Sequence, residues 1–185
     1  NTPADLDKLD RKYYQELMSF SYKETNSCVV FYGRFGPLSN HFKSEFRDGN
    51  NTKFHSNEQY YQYRKANICG DNVSAKAILK ASNPVECMQI AKRIKETKEW
   101  SDSKKLEVMA DGLRLKFSQN DKLKADLLST GDKLLGEGSP TDKYWGIGLS
   151  LRHRDVLTSG MWPGENKLGQ LLMKIRGEMK PDVRG

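Results

Sequence analysis

The run Ser56-Asn-Glu-Gln-Tyr-Tyr-Gln-Tyr-Arg-Lys65 limits what this chain can fold into more than any other segment. Ser56 and Gln59 stand at the S-x-x-Q spacing of a capping box, in which the serine oxygen takes an orphan amide and the glutamine reaches back. A helix therefore starts just before Glu58. It should run to about Cys69 and stop near Gly70, a residue suited to the left-handed end of a helix. At about 100° per residue, Glu58, Gln62, Lys65 and Cys69 fall on one side with Tyr61 beside them. Tyr60, Tyr63 and Ala66 occupy the other sides. A helix with aromatic rings all round is a buried helix, and a carboxylate and an amine on it need a reason. Lys65 lies about 10 Å beyond Glu58 along the axis. That is too far for a close ion pair, but right for opposite ends of one ligand. The plainer alternative is that both simply face solvent.

Ahead of this helix, Cys28 to Tyr32 reads as a strand that ends in the tight turns of Gly33 and Gly36-Pro37. Phe42 to Phe46 and Thr52 to Phe54 flank Asp48-Gly49-Asn50 and could pair as a hairpin. Behind it, Pro84 to Lys92, Ser101 to Phe117 and Lys122 to Thr130 are helix candidates. Leu106, Met109, Leu113 and Phe117 share a face of the second. A last helix over Glu165 to Met179 carries Leu168, Leu171, Leu172, Ile175 and Met179 on one stripe. Residues 136–164 read as loop, rich in glycine, proline and tryptophan and too long for a mere connector. The spacing of Leu6, Leu9, Tyr13, Leu17 and Met18 predicts an amphipathic helical arm over residues 1–25, which leaves 26–180 for the domain proper. The expected fold is mainly α, of the α+β class, with a small β element near its N-terminal side. The chain opens on Asn1 rather than Met, which reads as a trimmed start.

Composition narrows the function classes. The 185 residues suit one domain, and no apolar run approaches the ~20 residues that span a bilayer. The 3 cysteines, Cys28, Cys69 and Cys87, lack CxxC spacing, and the 3 histidines, His41, His55 and His153, lack metal-ligand pairing. This argues for a reducing intracellular compartment, cytoplasmic or nuclear, and against a disulfide scaffold or a metal site. The formal charge of +7 and the pI of about 9.2 favour a polyanionic partner, such as nucleic acid or a pyrophosphate.

Two further segments could carry chemistry. In Ser139-Pro-Thr-Asp-Lys-Tyr-Trp-Gly-Ile-Gly148, Trp145 stands between the acid Asp142 and the glycines Gly146 and Gly148. A flat ring on a backbone that must approach a ligand closely would have this form, and so would a structural turn with a core tryptophan. Phe35 to Asn40 forms a turn just after Arg34, whose guanidinium could clamp a phosphate.

Taken together, these segments resemble the NADAR family, also called YbiA-like, in a colinear match from about Phe31 to Arg176. The elements are Phe35–Phe42, Ser56–Ala66, Trp100 leading to Met109, Lys116-Phe-Ser-Gln119 and Leu128-Ser-Thr-Gly131. Glu137–Gly148, Gly164–Gly169 and Leu172–Arg176 complete the series. The resemblance implies hydrolysis of N-glycosidic bonds. Family members cleave phosphorylated intermediates of riboflavin biosynthesis or remove ADP-ribose from guanine bases of nucleic acid. The wording of Ser56–Ala66 and of Ser139–Gly148 resembles the second branch, so the expected substrate is ADP-ribosylated guanine in DNA or RNA, or a free ADP-ribosyl nucleotide. A riboflavin-pathway N-glycosidase and a non-catalytic ADP-ribose binder are the alternatives. No cofactor, metal or membrane is implied.

By the same resemblance, Glu58 and Lys65 belong to the active site, Lys65 as the candidate for a Schiff base with the opened sugar. The competing route is attack by water on an oxocarbenium-like centre stabilised by carboxylates, with Asp142 or Glu137 as the second acid. Ser39, Tyr61, Gln62 and Gly146 are candidate ligand contacts. Trp100 and Trp145 are candidate stacking walls, and Arg34 and Asn40 candidates for phosphate or ribose. Gly136 and Gly138 flank Glu137 where the family pattern has a more apolar residue and alanine.

Overall fold

The computed structural model describes residues 21–181, so residues 1–20 of the expected arm lie outside it. The last part of that segment forms a strand, β1 (Tyr22–Glu24), antiparallel to β2 (Cys28–Phe31). β2 is buried along its whole length and alternates as a strand should. Val29 and Phe31 enter the main core, whereas Cys28 and Val30 join a smaller cluster with Ile147, Leu151 and Val156.

The partner on its other edge is β5 (Leu134–Glu137), parallel to β2, with Cys28 opposite Leu134 and Phe31 opposite Glu137. This corrects the sequence reading, which begins a long loop at residue 136. Gly136 conceals the strand because it adds no side chain to the apolar pattern. A Cβ there would come within 2.9 Å of both Ile147 and Trp162. The space beside Gly136 is thus filled by Ile147 and Trp162.

The parallel pair needs a long crossover, and the helices supply it. α1 (Asn57–Ile68) starts as expected, with Ser56 Oγ accepting the amide of Gln59 at 3.2 Å. Gln59 departs from the reciprocal pattern: its Oε1 takes the amide of His55 at 2.8 Å and its Nε2 donates to the Ile78 carbonyl at 3.0 Å. It thereby ties α1 to α2 (Asn72–Lys80), a helix that the apolar periodicity does not single out. α3 (Pro84–Ala91), α4 (Asp102–Ser118) and α5 (Asp121–Ser129) follow within a residue of their expected ends. A hairpin of β3 (Phe46–Arg47) and β4 (Lys53–Phe54) precedes α1; Phe42 to Glu45, expected in it, stay outside the pairing.

α6 (Lys167–Met179) closes the fold against β5. It starts two residues later than expected because Asn166 adopts a left-handed conformation (φ 53°), which asparagine tolerates. The Asn166 amide satisfies the exposed edge of β5: Nδ2 donates to the Leu135 carbonyl at 2.8 Å and Oδ1 accepts from the Glu137 amide at 3.3 Å. The molecule is a mixed α+β domain whose small sheets sit beside a helical body. Among the described residues, no helix is long and apolar enough to cross a membrane.

Candidate active site

Ligands of α/β sheets gather beyond the carboxyl ends of parallel strands, and this chain opens a cavity there. About 630 Å³ in volume, it is lined by Tyr32 and Gly33 after β2, Ser39 and His41 from the following turn, Met88 of α3, and Glu137, Ser139, Thr141, Asp142, Lys143 and Tyr144 at and after β5.

The Phe35–Asn40 turn is held from below by a buried lysine. Lys116 of α4 is fully inaccessible, and its Nζ donates to the carbonyls of Pro37 at 2.7 Å and Ser39 at 2.8 Å. Burial alone lowers its pKa to about 7. At its far end the turn meets the start of α1. The Glu58 amide donates to the Asn40 carbonyl at 3.1 Å, and Asn57 Nδ2 donates to Asn40 Oδ1 at 2.8 Å. Asn57 is wholly buried, and its Oδ1 rests on Gly112 of α4, where any Cβ would overlap it. Among the described residues that oxygen has no hydrogen-bond partner.

Three carboxyl groups converge on this place. Glu58 lies behind His41: its Oε2 is 3.8 Å from His41 Nε2 and its Oε1 accepts from Gln62 at 2.8 Å. Burial raises the Glu58 pKa, His41 and Gln62 pull it back, and the charge of Asp142 pushes it up again. A position near a helix N-terminus favours the anion, but removal from water outweighs that preference. Glu137 is raised as well, to about 8, by burial first and then by Asp142 and Glu58. Like charges sharing a dry site cannot all ionise together.

Asp142 is fixed by its own turn, with Oδ1 accepting the amides of Tyr144 at 3.0 Å and Trp145 at 2.8 Å. Gly146 lies beneath both acids: a Cβ there would come within 2.7 Å of the Asp142 carbonyl and 3.0 Å of the Glu137 carbonyl. The arrangement offers buried carboxyls that favour holding a proton, Glu137 and Glu58, beside Asp142 on the cavity wall.

Residues 30–180 match the NADAR domain family. The chain belongs to that family. An N-glycosidase of Acanthamoeba polyphaga mimivirus is 38% identical over 169 residues, covering 84% of this chain and 98% of the relative. A riboflavin biosynthesis protein of Vibrio vulnificus is 32% identical over 127 residues, 68% of this chain but 30% of that protein. The NMR structure of the Escherichia coli protein YbiA shares the fold with a TM-score of 0.68 and 28% identity, covering 85% of this chain and 88% of that one.

Of the residues that the NADAR resemblance marks, the structure brings Ser39, Glu137 and Asp142 to the cavity wall, with Glu58 directly behind and Gln62 bound to it. Lys65 is placed differently: its Nζ donates to Glu96 Oε1 at 2.6 Å, and it is not among the lining residues. Tyr61, Trp100 and Trp145 form an edge-to-face row, with Tyr61 ring centroids 5.4 Å from Trp100 and 5.7 Å from Trp145. Trp100 is 4% exposed and Tyr61 7%, so neither presents an open face. Arg34 is exposed and stacks on Phe35 at 4.8 Å. Asn40 is buried and occupied with Asn57 and Met109, and Gly146 packs on the protein's own backbone.

Sequence reading passed over His41, Tyr32 and Tyr144 as site residues. His41 follows Asn40 directly, but only the fold puts it beside Glu58. The Tyr144 hydroxyl donates to Asp102 Oδ1 at 2.6 Å, fastening the site loop to the start of α4.

Proposed function

We propose that this chain hydrolyses the N-glycosidic bond joining ADP-ribose to a guanine base of nucleic acid. The observation that carries the reading is the cavity wall shared by Glu137 and Asp142, with Glu58 behind it, where burial pushes the Glu137 pKa up to about 8. In this reading Glu137 gives its proton to the departing base as the bond from the ribose anomeric carbon to nitrogen breaks. Asp142 faces the oxocarbenium-like centre, and water adds to that carbon, its proton returning to the Glu137 carboxylate. The products are free ADP-ribose and unmodified guanine. The mimivirus relative's name, N-glycosidase, supports the reaction class, and the +7 charge suits a nucleic-acid substrate.

The alternative chemical route makes Lys65 the nucleophile. It asks the amine to leave Glu96, whereas the carboxylate route uses groups already at the cavity. One experiment addresses both. The protein and its Lys65→Ala variant are incubated with a guanine-ADP-ribosylated oligonucleotide while free ADP-ribose is followed by mass spectrometry. Release by both proteins, unchanged by EDTA, is the result expected of the carboxylate route. Loss in the variant, with borohydride trapping of the parent, would move the chemistry to Lys65. Tight binding without release would make the chain an ADP-ribose binder.

The Vibrio vulnificus relative, named for riboflavin biosynthesis, favours a second reading: the same bond cleavage on a small phosphorylated riboflavin precursor. Direct competition between the two substrates separates them, and preferential cleavage of the precursor would replace the first reading.

A further inference from the structure

A second cavity, of about 560 Å³, adjoins the first. Tyr32 lines both, and Gly138 and Pro140 of the second alternate along the chain with Glu137 and Ser139 of the first. Among the described residues, its remaining walls are Lys23 of β1 and the segment Ser150 to Arg152.

The two cavities differ in charge. The first has Glu137 and Asp142 on its wall, with Lys143 as its lysine. Among the described residues, the lining of the second holds two cations, Lys23 and Arg152, and no carboxylate. The floor between them is fixed by backbone pairing: the Tyr32 amide donates to the Ser21 carbonyl at 2.9 Å, and the Gly138 amide to the Phe31 carbonyl at 2.8 Å. Gly138 leaves no spare room, since a Cβ there would come within 3.1 Å of Val30 and 3.2 Å of Leu151. Tyr32 stands 45% exposed on this floor, a large aromatic face offered to solvent.

A ribosyl substrate held with its anomeric carbon at the acids has to carry its phosphates away from them, because like charges in a poorly solvated site repel strongly. Lys143 can meet one phosphate at the first cavity. A diphosphate bearing a nucleoside needs more length and more positive charge than that. The adjoining cavity supplies both, with an aromatic ring at the junction.

Resting on the ADP-ribose reading above, we infer that the Lys23–Tyr32–Arg152 cavity is a second subsite that receives the diphosphate-linked nucleoside arm of the substrate. The subsite separates such substrates from ribosyl monophosphates, which end within the first cavity. Lys23 precedes residues 30–180, the part matched by the NADAR family, so this half of the subsite is built by a strand lying outside the matched region.

The test compares the dissociation constants of ADP-ribose and ribose 5-phosphate for the parent and for a Lys23→Gln, Arg152→Gln double variant. Ribose 5-phosphate also serves as the check that the variant is folded. The double variant should bind ADP-ribose about tenfold more weakly and with a shallower salt dependence. Its affinity for ribose 5-phosphate should stay within about twofold, because that ligand makes no charge contact with either side chain. Equal ADP-ribose affinity in both proteins would overturn the subsite and leave the hydrolase reading standing. So would equal weakening of both ligands. Binding of ribose 5-phosphate but not ADP-ribose by the parent would overturn the subsite together with the ADP-ribose substrate. Binding of neither by the parent would overturn both readings.

Discussion

The ammonium group of Lys116 holds the main-chain carbonyl of Ser39 at 2.8 Å, joining the interior of α4 to a turn far away in sequence. The same nitrogen holds Pro37, so one side chain sets the shape of the turn that carries Ser39 and His41 to the cavity. Lys116→Met keeps the packing volume and leaves the Pro37 carbonyl without its donor, at ~1–3 kcal/mol before the gain from removing a buried cation, while the Ser39 carbonyl keeps the Phe42 amide at 3.2 Å. A net loss of about 2 kcal/mol in denaturant unfolding is expected.

The same lysine gives a pH signature. Its pKa falls from the ordinary 10.5 to about 7 on folding. Between these values the unfolded chain binds more protons than the native one, so this group's contribution to stability rises with pH. The stability difference between the parent and Lys116→Met should therefore grow in the parent's favour from about pH 7 upward. A difference that shrinks over that range would contradict a lysine buried without a counter-ion.

Glu137→Gln should lower kcat/KM by about 10²–10⁴-fold on the ribosyl substrate, the usual range for losing a proton donor. In the parent, kcat/KM should fall as pH rises through about 8, where Glu137 gives up its proton. Stability moves the same way. From about 4.5 to 8 the unfolded carboxyl is ionised while the native one is not, so this group makes folding less favourable as pH rises. The variant should lose both the alkaline limb and that stability slope.

Gly146→Ala would press a methyl group against the backbone carbonyls of Asp142 and Glu137, which cannot swing aside as a side chain can. Overpacking of this kind costs about 1–3 kcal/mol. Because the strain falls on both acids, activity should drop more than the melting temperature implies. A variant with lowered stability but parental kcat would show that the acids tolerate displacement.

Trp100→Ala separates core from ligand wall. With the ring 4% exposed and edge-on to Tyr61, its removal should lower stability by ~3–5 kcal/mol. KM, measured below the melting transition, should move little. A large rise in KM in a stable variant would restore Trp100 as a stacking surface.

How much of this was legible beforehand depends on the kind of signal. The Ser56–Gln59 spacing announces α1 because capping is local chemistry, and the aromatic encirclement of that helix implies its burial but leaves open whether Glu58 and Lys65 face solvent. β5 was not legible, because Gly136 breaks the apolar pattern and the strand's edge is satisfied by Asn166, a partner distant in sequence. Lys116 was not legible either. A lysine on a helix reads as a solvated residue until the turn above it is seen to present the carbonyls of Pro37 and Ser39 to it. The meeting of Glu58, Glu137 and Asp142 is a tertiary fact, and the resemblance to a family pointed to it where spacing alone could not. Helical spacing puts Lys65 on the side of Glu58, but its ion pair with Glu96 arises from the segment after α3, which no helical wheel contains.

The parallel pairing of β2 with β5 has a consequence for how the protein comes into being. Phe31 and Glu137 become neighbours only after the whole stretch containing α1 to α5 has been placed between them. Closing so large a loop draws on chain entropy that local helix formation does not have to meet. During synthesis the first half of the cavity leaves the ribosome long before the second. A nascent chain can therefore hold most of its helices and still lack its acids' shared pocket. Ligand binding should thus be the last property acquired in refolding, lagging behind helical circular dichroism.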